Sequence, residues 1–273
     1  MLRQILLAGA TSALLAGAAS AADLPRRAAP PVFIPVPVFT WTGAYLGVNA
    51  GYAFSERDTV RTTGIGALQL NVDRGFRQAA VDVRQEGFTA GGQFGYNYQF
   101  TPGSGIVVGV EADAAYTDLQ RTRTDIRFNP NTLTNTYRSD LSFLGTVRGR
   151  IGYAFDRFLV YGTGGFAYGD VNQSVNFRTN APVAYSGSRS NIETGYAYGG
   201  GIEYALPTDS FLNFFKSSAV TIKAEYLRYD LGSRAITVAN TNTAVFPGAG
   251  YIARFRTEGS IARAGINYKF GTY

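Results

Sequence analysis

Phe88-Thr-Ala-Gly-Gly-Gln-Phe-Gly-Tyr-Asn-Tyr-Gln-Phe100 alternates without a break. Phe88, Ala90, Gly92, Phe94, Tyr96, Tyr98 and Phe100 are apolar, aromatic or small, whereas Thr89, Gly91, Gln93, Gly95, Asn97 and Gln99 are small or polar. Successive side chains on a strand point to opposite faces, so this segment is apolar on one side and polar on the other. Its aromatics gather at one end, beside the Thr101-Pro-Gly-Ser104 turn. A transmembrane barrel strand has this pattern, with an apolar face to lipid, a polar face to the lumen and aromatics at the interface. A soluble barrel that carries apolar ligands would reverse the polarity.

Seven further segments repeat the pattern. They are 43–54, 106–116, 141–155, 158–170, 194–206, 219–231 and 260–270. In the first, Ala44, Leu46, Val48, Ala50 and Tyr52 face out, and Tyr45, Gly47, Asn49 and Gly51 face in. Glu111 and Asp113 of the third segment point inward, as do Thr146, Arg148 and Arg150 of the fourth. Glu203 of the sixth, Lys223 and Glu225 of the seventh, and Arg263, Asn267 and Lys269 of the last do the same. The fifth segment is apolar on both faces, and its register stays open. Elsewhere the energetics fix the phase. An arginine on the lipid face at mid-bilayer costs roughly 2–4 kcal/mol, and slipping the fourth segment by one would place both Arg148 and Arg150 there.

Connections alternate in length. Residues 101–105 and 156–157 make tight turns and 207–218 a longer one. Residues 55–86, 117–140, 171–193 and 232–259 are long and polar. The expected fold is therefore all-β: an eight-stranded antiparallel transmembrane β-barrel with short periplasmic turns, long extracellular loops and both termini on the short-turn side. Ten or twelve strands would require short runs such as 235–238 to be strands of their own; they are expected instead to extend the barrel strands above the membrane.

The N-terminus reads as a signal peptide over 1–21, with Arg3, an apolar run 5–18 and a small-residue cleavage site after Ala21 or Ala22. The run is too short for the roughly 20 residues of a spanning helix. Residues 22–40 hold Pro25, Pro30, Pro31, Pro35 and Pro37, which favour polyproline II and oppose sheet pairing, so a periplasmic tail is expected before a barrel at 41–273. A proline-rich docking motif is the other reading of that tail.

Composition narrows function. The chain has no Cys and no His, 33 Gly, 14% aromatics and a net charge of +6 carried almost wholly by arginine. Without Cys there is neither a lipidation site nor a disulfide framework. Without His the usual membrane hydrolase arrangements lack a base; no catalytic residue, metal site or cofactor is expected. The inward charges Glu111, Asp113, Arg148, Arg150, Glu203, Lys223, Glu225 and Arg263 are expected to neutralise one another as a lumen plug, because unpaired buried charge is very costly. An ion pathway is the competing use of the same residues. The glycine runs 162–165 and 199–201 lie in strands and lack the helix and Lys of a phosphate loop, so close backbone packing accounts for them. Arginines in the long polar stretches, among them Arg57, Arg61, Arg121, Arg123, Arg127, Arg254 and Arg256, are candidates to bind lipopolysaccharide phosphate. Nucleic acid is excluded by export.

Several segments carry a family resemblance. They are Trp41-Thr-Gly-Ala-Tyr-Leu-Gly-Val-Asn-Ala-Gly-Tyr52, Val147-Arg-Gly-Arg-Ile-Gly-Tyr153, Leu159-Val-Tyr-Gly-Thr-Gly-Gly-Phe-Ala-Tyr168 and Gly265-Ile-Asn-Tyr-Lys-Phe270. With the N-terminal signal they resemble the alphaproteobacterial outer-membrane immunogenic protein family, small porin-family surface antigens with an OmpA-like β-barrel. The resemblance implies a cell outer membrane location, surface exposure, a role in envelope integrity, contact with outer-membrane lipid and recognition by the outer-membrane assembly machinery through a C-terminal aromatic. Tyr268 and Phe270 fit that signal, although Gly271-Thr-Tyr273 follow. Some relatives are thought to take haem at the surface, which the absence of histidine does not favour here. The expected function is a structural and surface-interaction protein of the outer membrane with a plugged lumen; the alternative is a narrow pore for small solutes or ions.

Overall fold

The computed structural model describes residues 38–55, 59–129, 131–179, 184–207, 210, 220–242 and 248–270. The signal peptide, most of the proline-rich tail, Arg57 and Tyr273 lie outside them. Ten strands form one antiparallel sheet: β1 (Gly43–Phe54), β2 (Thr59–Gly64), β3 (Ala80–Asp82), β4 (Glu86–Gln99), β5 (Ser104–Asn129), β6 (Asn131–Phe155), β7 (Phe158–Arg178), β8 (Ala184–Ala205), β9 (Val220–Asn240) and β10 (Gly250–Lys269). A 3-10 turn (Gly66–Leu68) and a short helix, α1 (Gln69–Asp73), lie between β2 and β3. The sheet order is β1-β4-β5-β6-β7-β8-β9-β10-β2-β3, and β1 also pairs with β10, so eight strands close a ring.

The expected registers hold across that ring. Leu46, Val48, Tyr52, Phe88, Phe94, Val110, Val147, Ile151, Ile202 and Ile266 are all exposed on the outer face. β7, whose register the sequence left open, turns Leu159, Tyr161 and Ala167 inward and Val160 and Phe166 outward. Aromatics form two girdles. Tyr52 pairs with Phe88, and Tyr116 with Phe143, at the upper edge. Phe155 pairs with Phe158, and Phe158 with Tyr204, at the lower. Such girdles bound the lipid-facing band of a membrane barrel.

The strands extend above the membrane, as expected for 235–238, but much further than the sequence indicated. A barrel strand crosses the membrane in about 9–11 residues, yet β5 runs 26 residues and β6 25. Most of the stretches 117–140, 171–193 and 232–259 continue the strands upward as a head above the upper girdle. Small register shifts at 116–119 against 141–143 and between Arg256 and Glu258 mark where the strands pass from barrel to head, and β8 and β9 part between Ser186 and Tyr196. β1 and β4 stop near the membrane. Their place in the head wall is taken by β2, which pairs with β10 from Arg61 to Gly64, and by β3 on β2.

The interior is layered. At the periplasmic end Phe39 and Trp41 pack with Val107, Ala154, Leu159, Tyr161 and Ala205. The Trp41 indole Nε1 donates to the Asp156 carbonyl at 2.9 Å, and its backbone N–H donates to Gln99 Oε1 at 2.7 Å. Asp156, at φ 54°, supplies the left-handed residue of the two-residue β6–β7 turn. The segment just before β1 therefore fills the barrel's lower mouth, and the tail boundary expected at residue 40 falls inside this apolar plug. Above it lies a charged layer, then an apolar one around Leu119, Leu141, Leu144, Leu227, Leu231 and Ile261. The head has its own core of Val60, Val81, Tyr137, Phe177, Tyr185, Ile236, Val238, Tyr251 and Phe255.

Candidate functional site: the charged layer and the arginines of the head

Lumen-facing positions at mid-membrane converge on one another because a narrow eight-stranded barrel leaves room only for its own side chains. Arg148 is the hub. Its Nη2 donates to Glu111 Oε1 at 2.6 Å and Asp113 Oδ2 at 2.8 Å, its Nη1 to Glu225 Oε1 at 3.0 Å, and its Nε to Thr146 Oγ1 at 2.8 Å. Arg263 crosses from β10 and meets Asp113 with both terminal nitrogens, at 3.0 and 3.1 Å. Its Nε donates to Glu225 Oε2 at 2.8 Å. Lys223 Nζ straddles the Glu111 carboxylate at 2.9 and 3.0 Å. Arg150 donates to Glu203 Oε2 at 2.9 Å and to the Tyr45 hydroxyl at 2.9 Å, and its guanidinium lies 3.8 Å from the Tyr161 ring centre.

All eight residues expected in this layer are brought together, four cations with four anions, and all are buried. The charges therefore sum to zero. Lys269, also read as inward, stands apart with its ammonium 5.6 Å from the Phe39 ring.

Uncharged residues complete the layer. Tyr45 donates to Glu111 at 2.7 Å and Tyr161 to Glu225 at 3.1 Å. Thr146 donates to Asp113 at 2.6 Å. Asn267 donates to Glu203 at 2.8 Å, Thr221 bonds the same carboxylate, and Gln93 bonds Asn267. Each of the eight ring strands thus contributes a member. Alternation had placed Tyr45, Gln93, Thr146 and Asn267 on the lumen face without a role; the missing signal was reach across the barrel, which only closure supplies. Gly95 shows how tight the layer is, since a Cβ there would collide with the Tyr45 ring.

The arginines read as loop residues divide in the structure. Arg121, Arg123 and Arg127 are on β5, not in a loop. They pair in register with Ser139, Tyr137 and Leu133, which are buried on the inner face. These three arginines therefore lie on the face turned toward the barrel axis, opposite to lipid, because odd-numbered residues stay inward along the whole of β5. Arg61, Arg254 and Arg256 are on the outer face, with Arg61 on β2 directly opposite Arg254 on β10. Arg256 bonds Asp230 at 2.7 Å and lies 3.1 Å from Glu258. Burial alone would raise the Asp230 carboxyl, but hydrogen bonds from Arg256 and the Gly232 N–H hold it below its ordinary value. Nearby Glu193 goes the other way: burial raises it despite Arg234 and Arg189.

A closed eight-strand ring with two aromatic girdles and a polar, sealed centre specifies a membrane barrel, and the sequence matches the family described as outer membrane protein beta-barrel domain over residues 10–270. The chain belongs to that family. It is 30% identical over 281 residues to the 31 kDa outer-membrane immunogenic protein of Brucella melitensis, covering 98% of this chain and 100% of that one. To the 25 kDa outer-membrane immunogenic protein of Brucella abortus it is 24% identical over 272 residues, covering 98% and 99%. Among solved structures it is similar to the outer membrane protein OprG from Pseudomonas aeruginosa, at a TM-score of 0.39 and 12% identity over 85% of this chain and 97% of that one. The protein is an outer-membrane β-barrel, as its sequence led one to expect.

Proposed function

We propose that this barrel is a structural, surface-interacting component of the outer membrane that supports envelope integrity, carries out no catalysis and conducts no solute. The observation that carries the reading is the charged layer: a neutral, mutually hydrogen-bonded set of side chains tying all eight ring strands together at mid-membrane. A solute would have to break several buried ion pairs to pass, and the apolar layers above and below offer those charges no other partners. The refolded protein in a planar bilayer should show no steady conductance. Steady wild-type conductance of porin size would defeat this reading in favour of the pore.

The surface partner in this reading is lipopolysaccharide, met by Arg61, Arg254 and Arg256. Arg61 and Arg254 face each other on the outer wall with no carboxylate in ion-pair range among the described residues. Like charges directly opposite destabilise a sheet unless an anion lies between them. Arg61→Gln with Arg254→Gln should weaken binding to purified lipopolysaccharide and reduce its salt dependence. Unchanged affinity would remove this partner. Recognition by the assembly machinery rests on outward Tyr268 and Phe270 at the end of β10, and Phe270→Ala should slow insertion in cells without altering the purified fold.

A further inference from the structure

The head wall is open between β3 and the upper part of β5. β3 ends the sheet on one side, and above Leu119 β5 is paired only with β6. Between these two edges opens a cavity of about 350 Å³ lined by Gln78, Asp82, Arg84, Arg121 and Arg123, with Ala80 and Val81. We propose that this seam binds a compact polyanion, a saccharide bearing phosphate or sulfate groups. Its two β5 arginines stand on a different strand from Arg61 and Arg254, so this seam and the proposed lipopolysaccharide contact can be varied separately.

Three observations carry it. The first is unmatched charge. Neighbouring arginines on the same hairpin have acids beside them: Arg127 bonds Asp125 at 2.9 Å, and Arg138 lies 3.5 Å from Asp140. Arg84, Arg121 and Arg123 have none in ion-pair range among the described residues. The one acid of the lining, Asp82, accepts from the Thr59 hydroxyl at 2.7 Å, so three cations against one anion leave +2 in one cleft. The second is geometry. Arg121 and Arg123 are two apart on one strand face, roughly 7 Å, which two anionic substituents of one sugar unit span. Their planar guanidiniums suit bidentate contact with phosphate or sulfate. The third is the pair of open strand edges, whose backbone N–H groups add donors where the ligand would enter. A polar cleft of this volume falls at the small end of ligand pockets.

The test is titration calorimetry of the full-length folded protein in detergent. The probes are glucose 1,6-bisphosphate, a heparin-derived tetrasaccharide and the deacylated core oligosaccharide of lipopolysaccharide. At least one should bind, more weakly as salt rises. Arg121→Gln with Arg123→Gln should lower its affinity by ~10-fold or more, and Arg84→Gln should add to the loss. Arg61→Gln with Arg254→Gln should leave this affinity unchanged, which separates the seam from the outer-wall contact. Heat-dependent gel mobility identifies variants that keep the folded barrel, and Arg121→Lys, which keeps charge but loses the fork, should recover only part of the affinity. Preference for the core oligosaccharide would name the cell's own surface as the source, and preference for the sulfated probe an external glycan. No binding by the wild type, or equal binding by the Arg121/Arg123 variant, would overturn the proposal.

Discussion

The same strands build two interiors of opposite chemistry. At mid-membrane β9 turns Lys223 and Glu225 inward and Ile222 outward; in the head it turns Ile236 and Val238 inward and Thr237 outward. β10 repeats the exchange, with Arg263 inward below and Tyr251 and Phe255 inward above. β6 carries Arg148 below and Tyr137 above. The backbone pairing continues through both regions, so the sheet does not choose the polarity. The surroundings do. Where lipid lies outside, apolar side chains gain by facing out and the polar remainder must satisfy itself within. Where water lies outside, the hydrophobic effect gathers apolar groups inside, as in any soluble barrel.

The largest expected effect is at the hub of the charged interior. Arg148→Ala takes from Glu111, Asp113 and Glu225 one of the two guanidiniums they share, leaving Arg263, and breaking a buried ion pair costs about 3–5 kcal/mol. Urea unfolding of the refolded barrel in lipid vesicles should show it, with new conductance if water enters. In the head, Phe177→Ala removes a ring packed edge-on against Tyr137 and Tyr251, at about 3 kcal/mol. That loss should be local: surface proteolysis should increase while the membrane ring stays folded and heat-modifiable. Joint unfolding of head and ring would mean that the two interiors are one cooperative unit.

A smaller effect compares outer faces directly. Val48→Arg places a charge against lipid and should cost ~2–4 kcal/mol. Thr237→Arg, outward on β9 in the head, should fall within about 0.5 kcal/mol of wild type. Equal costs would place lipid around both.

The smallest is electrostatic. The Asp230–Arg256 pair stands at the junction of the two regions, partly open to solvent, and an exposed pair contributes about 1 kcal/mol or less. The Asp230 carboxyl is lowered by folding, so its contribution is present above the ordinary Asp value of about 3.9 and disappears as pH falls through the lowered one. Asp230→Asn should flatten that part of the stability–pH curve. Glu193, raised by burial, gives the opposite slope: its contribution is full below the ordinary Glu value and declines as pH rises toward the raised one. Glu193→Gln should therefore flatten a decline on the less acidic side.

Eight ring strands, the in–out phase of all but β7 and the charged members of the central layer were legible because alternation against a lipid solvent is a strictly local signal. The cost of an arginine in lipid leaves one phase for β6, and the same argument holds for β5, β9 and β10. The head was legible as strands only in part: the run 235–238 was expected to extend a barrel strand upward, as it does in β9, while most of the other head segments read as loop. Its segments are polar outside and apolar inside, so along the chain the pattern inverts and, against the lipid-facing template, reads as loop. Arg121, Arg123 and Arg127 were for that reason read as loop residues, whereas they lie on β5.

By itself the sequence determined that this chain crosses a membrane as a β-barrel and which charges must face its lumen, because those follow from the period of two and from the price of exposing charge to hydrocarbon. Only the tertiary structure decided which carboxylate meets which guanidinium, that Phe39 and Trp41 close the lower mouth, that β2 and β3 replace β1 and β4 in the head, and which arginines face out or into the seam. Each depends on contacts between residues far apart in the chain, such as Asp113 with Arg263 and Arg61 with Arg254, whose distances are set by closing the sheet on itself and by no local pattern.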